Sequence, residues 1–355
     1  MHASQQQASS PHAHTGRSTA RVMQLVLLAT VPGVVALTVF FGWGVWINLI
    51  LASITALATE AALLKLRHKP VGFYLKDYSA LVTAVLLALA LPPLAPWWLV
   101  VVGTLFAIAI AKQLYGGLGF NPFNPAMVGY VVLLISFPVE MTRWLNPAPL
   151  LAEGIDLPGL KQSLAVVFAG SPIVDGVSGA TPLDLFKHNS GQMVEQFYAS
   201  HTLFDQGRWA GVGWEWVNIG FLIGGIFLLW QRIFTWHGPV AMLVTLLLMA
   251  LLFHDGGSSH SLGSPALHLL SGATMLGAFF IVTDPVTSAT SNLGRLIYGA
   301  LIGLLVYVIR AWGNYPDAVA FAVLLANFAA PFIDYYTLPR SYGHERRRRA
   351  TEQQE

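Results

Sequence analysis

The stretch Asp175-Gly176-Val177-Ser178-Gly179-Ala180-Thr181-Pro182-Leu183-Asp184 gathers small residues around one threonine. Small neighbours and a permissive backbone present the Thr181 hydroxyl on a loop without steric shielding. No histidine or lysine base stands directly beside it. An unactivated threonine is a poor nucleophile, which argues against self-driven acyl transfer or hydrolysis. As the acceptor for a modifying enzyme, the hydroxyl needs only to be reachable. A second Ser-Gly-Ala-Thr occurs at Ser271–Thr274, but it lies inside an apolar run, has His268 where the first copy has Asp175, and is followed by no Pro-Leu-Asp. That copy reads as small residues permitting close helix contact.

The other chemistry-bearing side chains are carboxylates and amides in or beside apolar runs. Glu60 is an intramembrane acid and therefore a candidate for an ion path, although Lys65, about one turn away, offers it pairing or snorkelling. Asp77 and Asp284 stand at the ends of apolar runs, where a carboxylate caps, pairs with nearby Lys or Arg, or contributes to ion movement. Asn121, Asn124 and Pro125 break the start of another run and turn polar backbone groups inward, as at ligand or ion sites in transporters. His254, His260 and His268 lack metal-ligand spacing, so no metal site is expected. The chain contains no cysteine, which excludes disulfides, thiolate zinc sites and cysteine-ligated iron–sulfur clusters. Any electrons it handles alone must ride on an organic cofactor.

These residues need elements to hold them. Of 355 residues, 55% are hydrophobic and only 10% charged, with a mean hydropathy of +0.60, against roughly 25% charged in a soluble domain. The class is an all-α polytopic membrane protein embedded in a lipid bilayer. A net charge of +2, without a basic patch interleaved with aromatics, gives nucleic-acid binding no support. Apolar runs at 22–41, 43–64, 78–95, 97–111 and 124–137, then at 216–230, 236–253, 265–283, 293–309 and 317–333, predict about ten transmembrane helices. The organisation expected is a polar tail over 1–20, a five-helix half over 21–137, an outer segment over 138–213, a second half over 214–333 and a basic tail over 334–355.

Lys and Arg in the short connections set the orientation. Arg17, Arg21, Lys65, Arg67, Lys69, Lys76, Lys112, Arg232, Arg295, Arg340 and Arg346–Arg349 fall on one side, with Arg310 as the exception. Both termini are then cytoplasmic, and residues 138–213 with Thr181 lie outside. Five spans on each side of that segment imply an inverted repeat. Asn124–Phe137 and Tyr315–Phe328 align without a gap, sharing Pro125/Pro316, Val128/Val319, Leu133/Leu324 and Phe137/Phe328.

The Asp175–Asp184 motif, the run Gly117–Tyr130 and Thr283-Asp284-Pro285 resemble the RnfD/RsxD family, the D component of the Rnf ion-translocating electron transport complex of bacteria. That family is related to the B component of the sodium-pumping NADH:quinone oxidoreductase. The resemblance implies FMN joined to Thr181 by a phosphodiester bond, installed outside the cytoplasm by a flavin transferase that recognises Asp175, Ser178, Gly179 and Ala180. Lys187 and His188 then become candidates to balance the flavin phosphate. It further implies a bacterial inner-membrane location, other Rnf subunits as partners, electron flow between ferredoxin and NAD coupled to sodium or proton movement, and room for a second, noncovalent flavin such as riboflavin. The alternative is an inverted-repeat solute channel or transporter without redox function. An accessible threonine acceptor separates the two, because a transporter has no need of one.

Overall fold

The computed structural model describes residues 17–337, apart from 153, 173–175, 190, 206, 208 and 316. The two tails lie mostly outside the described residues, as do Asp175 and Pro316. Ten apolar helical segments form the body: Thr19–Phe41, Gly44–Leu66, Ser79–Ala90, Trp97–Gln113, Pro125–Ser136, Trp214–Trp230, His237–Leu252, an interrupted segment from Pro265 to Ile281, Asn292–Trp312 and Val319–Thr337. They are called first to tenth below. The first, second, ninth and tenth are long and apolar enough to cross a membrane by length and composition alone. The chain is an all-α polytopic membrane protein.

The third and fifth segments have 12 residues each, about 18 Å of helix against a hydrocarbon layer of about 30 Å. Neighbouring helices bury them, with Ala84, Leu87 and Leu133 fully enclosed, and short helices are stable at membrane depth under that cover. The fifth starts where Asn124 accepts the Met127 N–H at 3.2 Å and Pro125 takes the first helical position, which needs no donor. The fourth changes at Phe106 into a π-helical stretch that runs to Gln113.

Hydrogen bonds show which helix ends share a face. Arg17 donates to the Gln231 carbonyl at 2.8 Å, Arg67 to the Gln113 carbonyl at 2.9 Å, Arg295 to Thr235 at 3.1 Å and Asn124 to Asp284 at 3.3 Å. On the opposite face, Asn48 donates to the Pro92 carbonyl at 2.8 Å, Phe41 packs edge-on against Trp214, and Lys187 donates to the Tyr315 carbonyl at 3.0 Å. The described residues of 138–213 cover this second face. Among the described residues their one ladder pairs Trp144 with Gly179 and Leu145 with Ser178, antiparallel.

Two pairs of corresponding helices meet, one at each end of the series. The first packs on the sixth. The fifth runs antiparallel to the tenth, with the Asn124 N–H donating to Asn327 at 3.0 Å and the Phe123 and Phe328 rings 4.6 Å apart. Two expectations change. The tenth helix begins at Val319, later than the gapless alignment with Pro125 implies, and Asp317 Oδ1 accepts the Val319 N–H at 3.4 Å. The eighth run is two helices, Pro265–Leu270 and Thr274–Ile281, separated at Ser271–Ala273, where Gly272 has φ +60. The second Ser-Gly-Ala-Thr is thus a helix break and not a smooth contact stripe.

The first–sixth contact depends on glycine. A Cβ at Gly224 would overlap the Ala29 carbonyl oxygen, whereas one at Gly72 would meet nothing within 4 Å. Gly224→Ala is expected to cost about 1–3 kcal/mol through backbone displacement, and Gly72→Ala far less. Thermal unfolding of the purified protein in detergent measures the difference.

Candidate functional site

Thr181 sits on a rigid mount. Asn146 receives the carbonyls of the motif: its backbone N–H donates to Val177 at 2.8 Å and its side-chain amide to Gly176 at 3.0 Å. A Cβ at Gly179 would displace the Asn146 side chain from the position in which it holds these carbonyls. Thr181 then caps the short helix Pro182–Lys187, its hydroxyl accepting the Asp184 N–H at 3.2 Å. Pro182 and Leu183 are buried, Thr181 is half-buried, and Ser178 is exposed.

Lys187 and His188 do not serve Thr181 in the way the sequence suggests. The Lys187 ammonium donates to the carbonyls of Tyr315 (3.0 Å) and Arg310 (3.4 Å), bolting the helix to the turn between the ninth and tenth segments. Burial pushes its pKa below the usual lysine value, with Asp184 opposing the shift. His188 is exposed, and its Nδ1 lies 3.6 Å from the Asp184 carboxylate.

Beside Thr181 lies a slot of ≈ 90 Å³ between the two halves, walled by Trp144, Trp214, Tyr130, Asp184, Ala273 and Asp317. Thr274, the threonine of the second copy, is fully buried. Its hydroxyl donates to the His268 carbonyl at 2.9 Å and accepts from Arg310 at 2.9 Å. Arg310, the exception to the charge asymmetry, is buried and paired with Asp317 at 3.0 Å. His268 Nε2 lies 2.9 Å from the Leu262 carbonyl, and no metal-binding group of His, Asp or Glu occurs among the described residues.

The opposite face holds a larger cavity, ≈ 690 Å³, lined in part by Ser79, Lys112, Asn121, Asn124, Asp284 and Tyr298. Glu60 is fully buried nearby, and its partner is not Lys65. Lys112, 52 residues on, donates to Glu60 Oε1 at 2.7 Å, and Gln113 donates to the same oxygen at 2.6 Å. Lys112, a surface cation by its place in the sequence, is therefore internal. It also donates to Ser79 Oγ at 2.7 Å, which in turn donates to Asp77 at 2.6 Å. Glu60 and Asp77 thus belong to one hydrogen-bonded chain. Asp284 is held by neutral donors: the Val286 N–H, the Thr287 hydroxyl and the Asn124 amide, at 3.1, 3.0 and 3.3 Å.

Sequence reasoning missed Lys112, Gln113, Asn327, Arg310 and Asp317 as site residues. Asn327, a lone amide in an apolar run, and Arg310, the exception to the charge asymmetry, carried the local signals.

A family model described as the NQR2, RnfD, RnfE family matches residues 6–343. The chain belongs to this family. It is 62% identical over 345 residues to the D component of the ion-translocating oxidoreductase complex of Cellvibrio japonicus (strain Ueda107), covering 97% of this chain and 96% of that protein. Proteins of the same name from Citrobacter koseri and Salmonella paratyphi B are 57% and 56% identical, over 95% and 96% of this chain and 98% of each relative.

The buried pair gives a sharp expectation. Lys112→Met strands the buried Glu60 carboxyl without its cation, at a cost of about 3–5 kcal/mol, whereas the double change Lys112→Met with Glu60→Leu recovers most of it. Melting temperatures of the two variants in detergent check this, and equal losses would show that the pair is not what matters.

Proposed function

We propose that this chain is the membrane subunit of an ion-translocating oxidoreductase complex and carries electrons on FMN attached covalently to Thr181. The carrying observation is the Thr181 hydroxyl itself. It is half-exposed on an immobilised turn at the lip of an aromatic slot to which both membrane halves contribute. Trp144, Trp214 and Tyr130 supply flat apolar surface suited to a ring system, and the small Gly179 and Ala180 leave the hydroxyl approachable. The carboxylates of Asp184 and Asp317 mean that this slot is not a phosphate cradle, so the attached phosphate would face away from them. Flavin supplies the one- and two-electron chemistry that a cysteine-free chain lacks. The protein's part is tethering, orientation and exclusion of water.

In this reading a flavin transferase recognises Asp175, Ser178, Gly179 and Ala180, and Thr274 is passed over because it is buried. The two termini are cytoplasmic and the motif faces the outside of a bacterial inner membrane. Other Rnf-type subunits carry the electron flow between reduced ferredoxin and NAD. A second, noncovalent flavin such as riboflavin suits the ≈ 690 Å³ cavity, whose Asn121 and Asn124 offer amide donors and acceptors. Glu60, Asp77 and Asp284 border that cavity or connect to it, and form the candidate ion path. A solute channel without redox function needs none of the Thr181 mount.

Expressed with its transferase, the denatured wild-type protein should show the mass of one FMN less one water together with flavin fluorescence. Thr181→Ala should lose both and Thr274→Ala should keep both; a flavin-free wild type would end the proposal. The absence of native cysteine makes orientation directly testable. Ser178→Cys, at an exposed site, should react with a membrane-impermeant maleimide in cells whose inner membrane is intact, and Arg232→Cys only after that membrane is opened.

A further inference from the structure

Asp317 lines the Thr181 slot and pairs with the buried Arg310. Asp317 Oδ1 accepts from Arg310 at 3.0 Å and from the Val319 N–H at 3.4 Å, while Oδ2 accepts the Ala273 N–H at 2.8 Å. Ala273 ends the break in the eighth segment. One carboxylate therefore joins that break to the ninth and tenth segments. Gly272 leaves no slack, since a Cβ there would come within 2.6 Å of Asp317 Oδ2. The same inter-helix turn receives Lys187 from the Thr181 helix, so the two walls of the slot are fixed to each other. The side chain of Asp317 is 23% exposed and that of Arg310 only 2%. The pair presents its negative end to the slot and its positive end to the interior.

We propose that Asp317 is a positioning residue of the Thr181 site: it fixes the Gly272–Ala273 wall and holds a negative charge at the slot that makes a redox group tethered there harder to reduce. This rests on the reading of Thr181 as a flavin carrier. A carboxylate in a poorly screened wall opposes the arrival of an electron nearby, and the effect grows as local polarity falls. Asn in its place still accepts the Ala273 N–H through its amide oxygen. It removes the charge, however, and leaves Arg310 uncompensated, and both changes ease reduction.

The experiment is a spectroelectrochemical titration of the covalently bound flavin in the purified complex. Asp317→Asn should move the reduction equilibrium toward the reduced flavin by about tenfold. Asp317→Glu, which keeps the charge, should stay near wild type. An unchanged potential in Asp317→Asn, or an equal shift in Asp317→Glu, would overturn the assignment by showing that charge is not the cause. If Asp317→Asn does not accumulate, the paired change Arg310→Gln with Asp317→Asn removes both buried charges and should fold. It should shift the equilibrium in the same direction by less, and no shift would again overturn the assignment. A wild type without attached flavin refutes the carrier reading itself, whereas attached flavin with an unaltered potential in the variants refutes only the role of Asp317.

Discussion

A helix broken at membrane depth strands peptide groups where water cannot reach them, and each must find a partner inside the protein. The break at Ser271–Ala273 sets this demand for the second half of the chain. Asn218, on the sixth segment, donates to the Leu270 and Gly272 carbonyls and accepts the Met275 N–H. Arg310 takes the His268 carbonyl, Asp317 takes the Ala273 N–H, and the Ser271 hydroxyl reaches out to the Ala210 carbonyl. With about 1–3 kcal/mol at stake for each buried group left unpaired, the sixth, ninth and tenth helices have little freedom in how they surround the break. The wall of the slot beside Thr181 is a consequence of that satisfaction.

The first half carries a comparable constraint of a different kind. A buried ion pair such as Lys112–Glu60 adds little over an apolar pair of the same shape, because desolvation offsets attraction. Its effect is to forbid other arrangements, since either charge alone would be stranded. The π-helical stretch ending at Gln113 brings two consecutive side chains, Lys112 and Gln113, to one carboxylate oxygen, and π-helical turns of this sort cluster at functional sites. Glu60 Oε2 is buried without a hydrogen-bond partner among the described residues. That leaves acceptor capacity in a network bordering the larger cavity.

The parts of the molecule legible in sequence are those specified locally. Apolar runs located the ten segments, small residues located the Thr181 mount, and the Lys and Arg bias matched the helix ends that share a face. What escaped was specified at long range. Nothing near Glu60 names Lys112 as its partner, so the nearer Lys65 looked sufficient. Arg310 stood out as an exception to charge asymmetry because its acceptors, the His268 carbonyl and Asp317, lie 42 and 7 residues away. The second Ser-Gly-Ala-Thr is inaccessible, as its apolar surroundings imply, yet its role as a break needed Asn218 and Asp317 to be seen together. Small residues permit both close packing and interruption, and composition does not choose between them.

The fifth helix lines both cavities, and the tenth lines one and braces the other. On the fifth, Tyr130 and Met127 line the slot by Thr181 while Asn124 and Ala126 line the cavity on the other face. On the tenth, Val319 and Ala320 line the slot, and Asn327 grips Asn124, the Thr287 carbonyl and Tyr298 beside the larger cavity. Asn124 also donates to Asp284. Because the fifth helix reaches both cavities and packs against the tenth, which Asp317 holds ahead of its first turn and Asn327 holds near its middle, a tilt of the fifth alters both cavities together. Packed interiors shift between discrete arrangements more readily than they deform smoothly. A change of charge at one face that favoured a different tilt would therefore be felt at Asn124 and its partner Asp284 on the other.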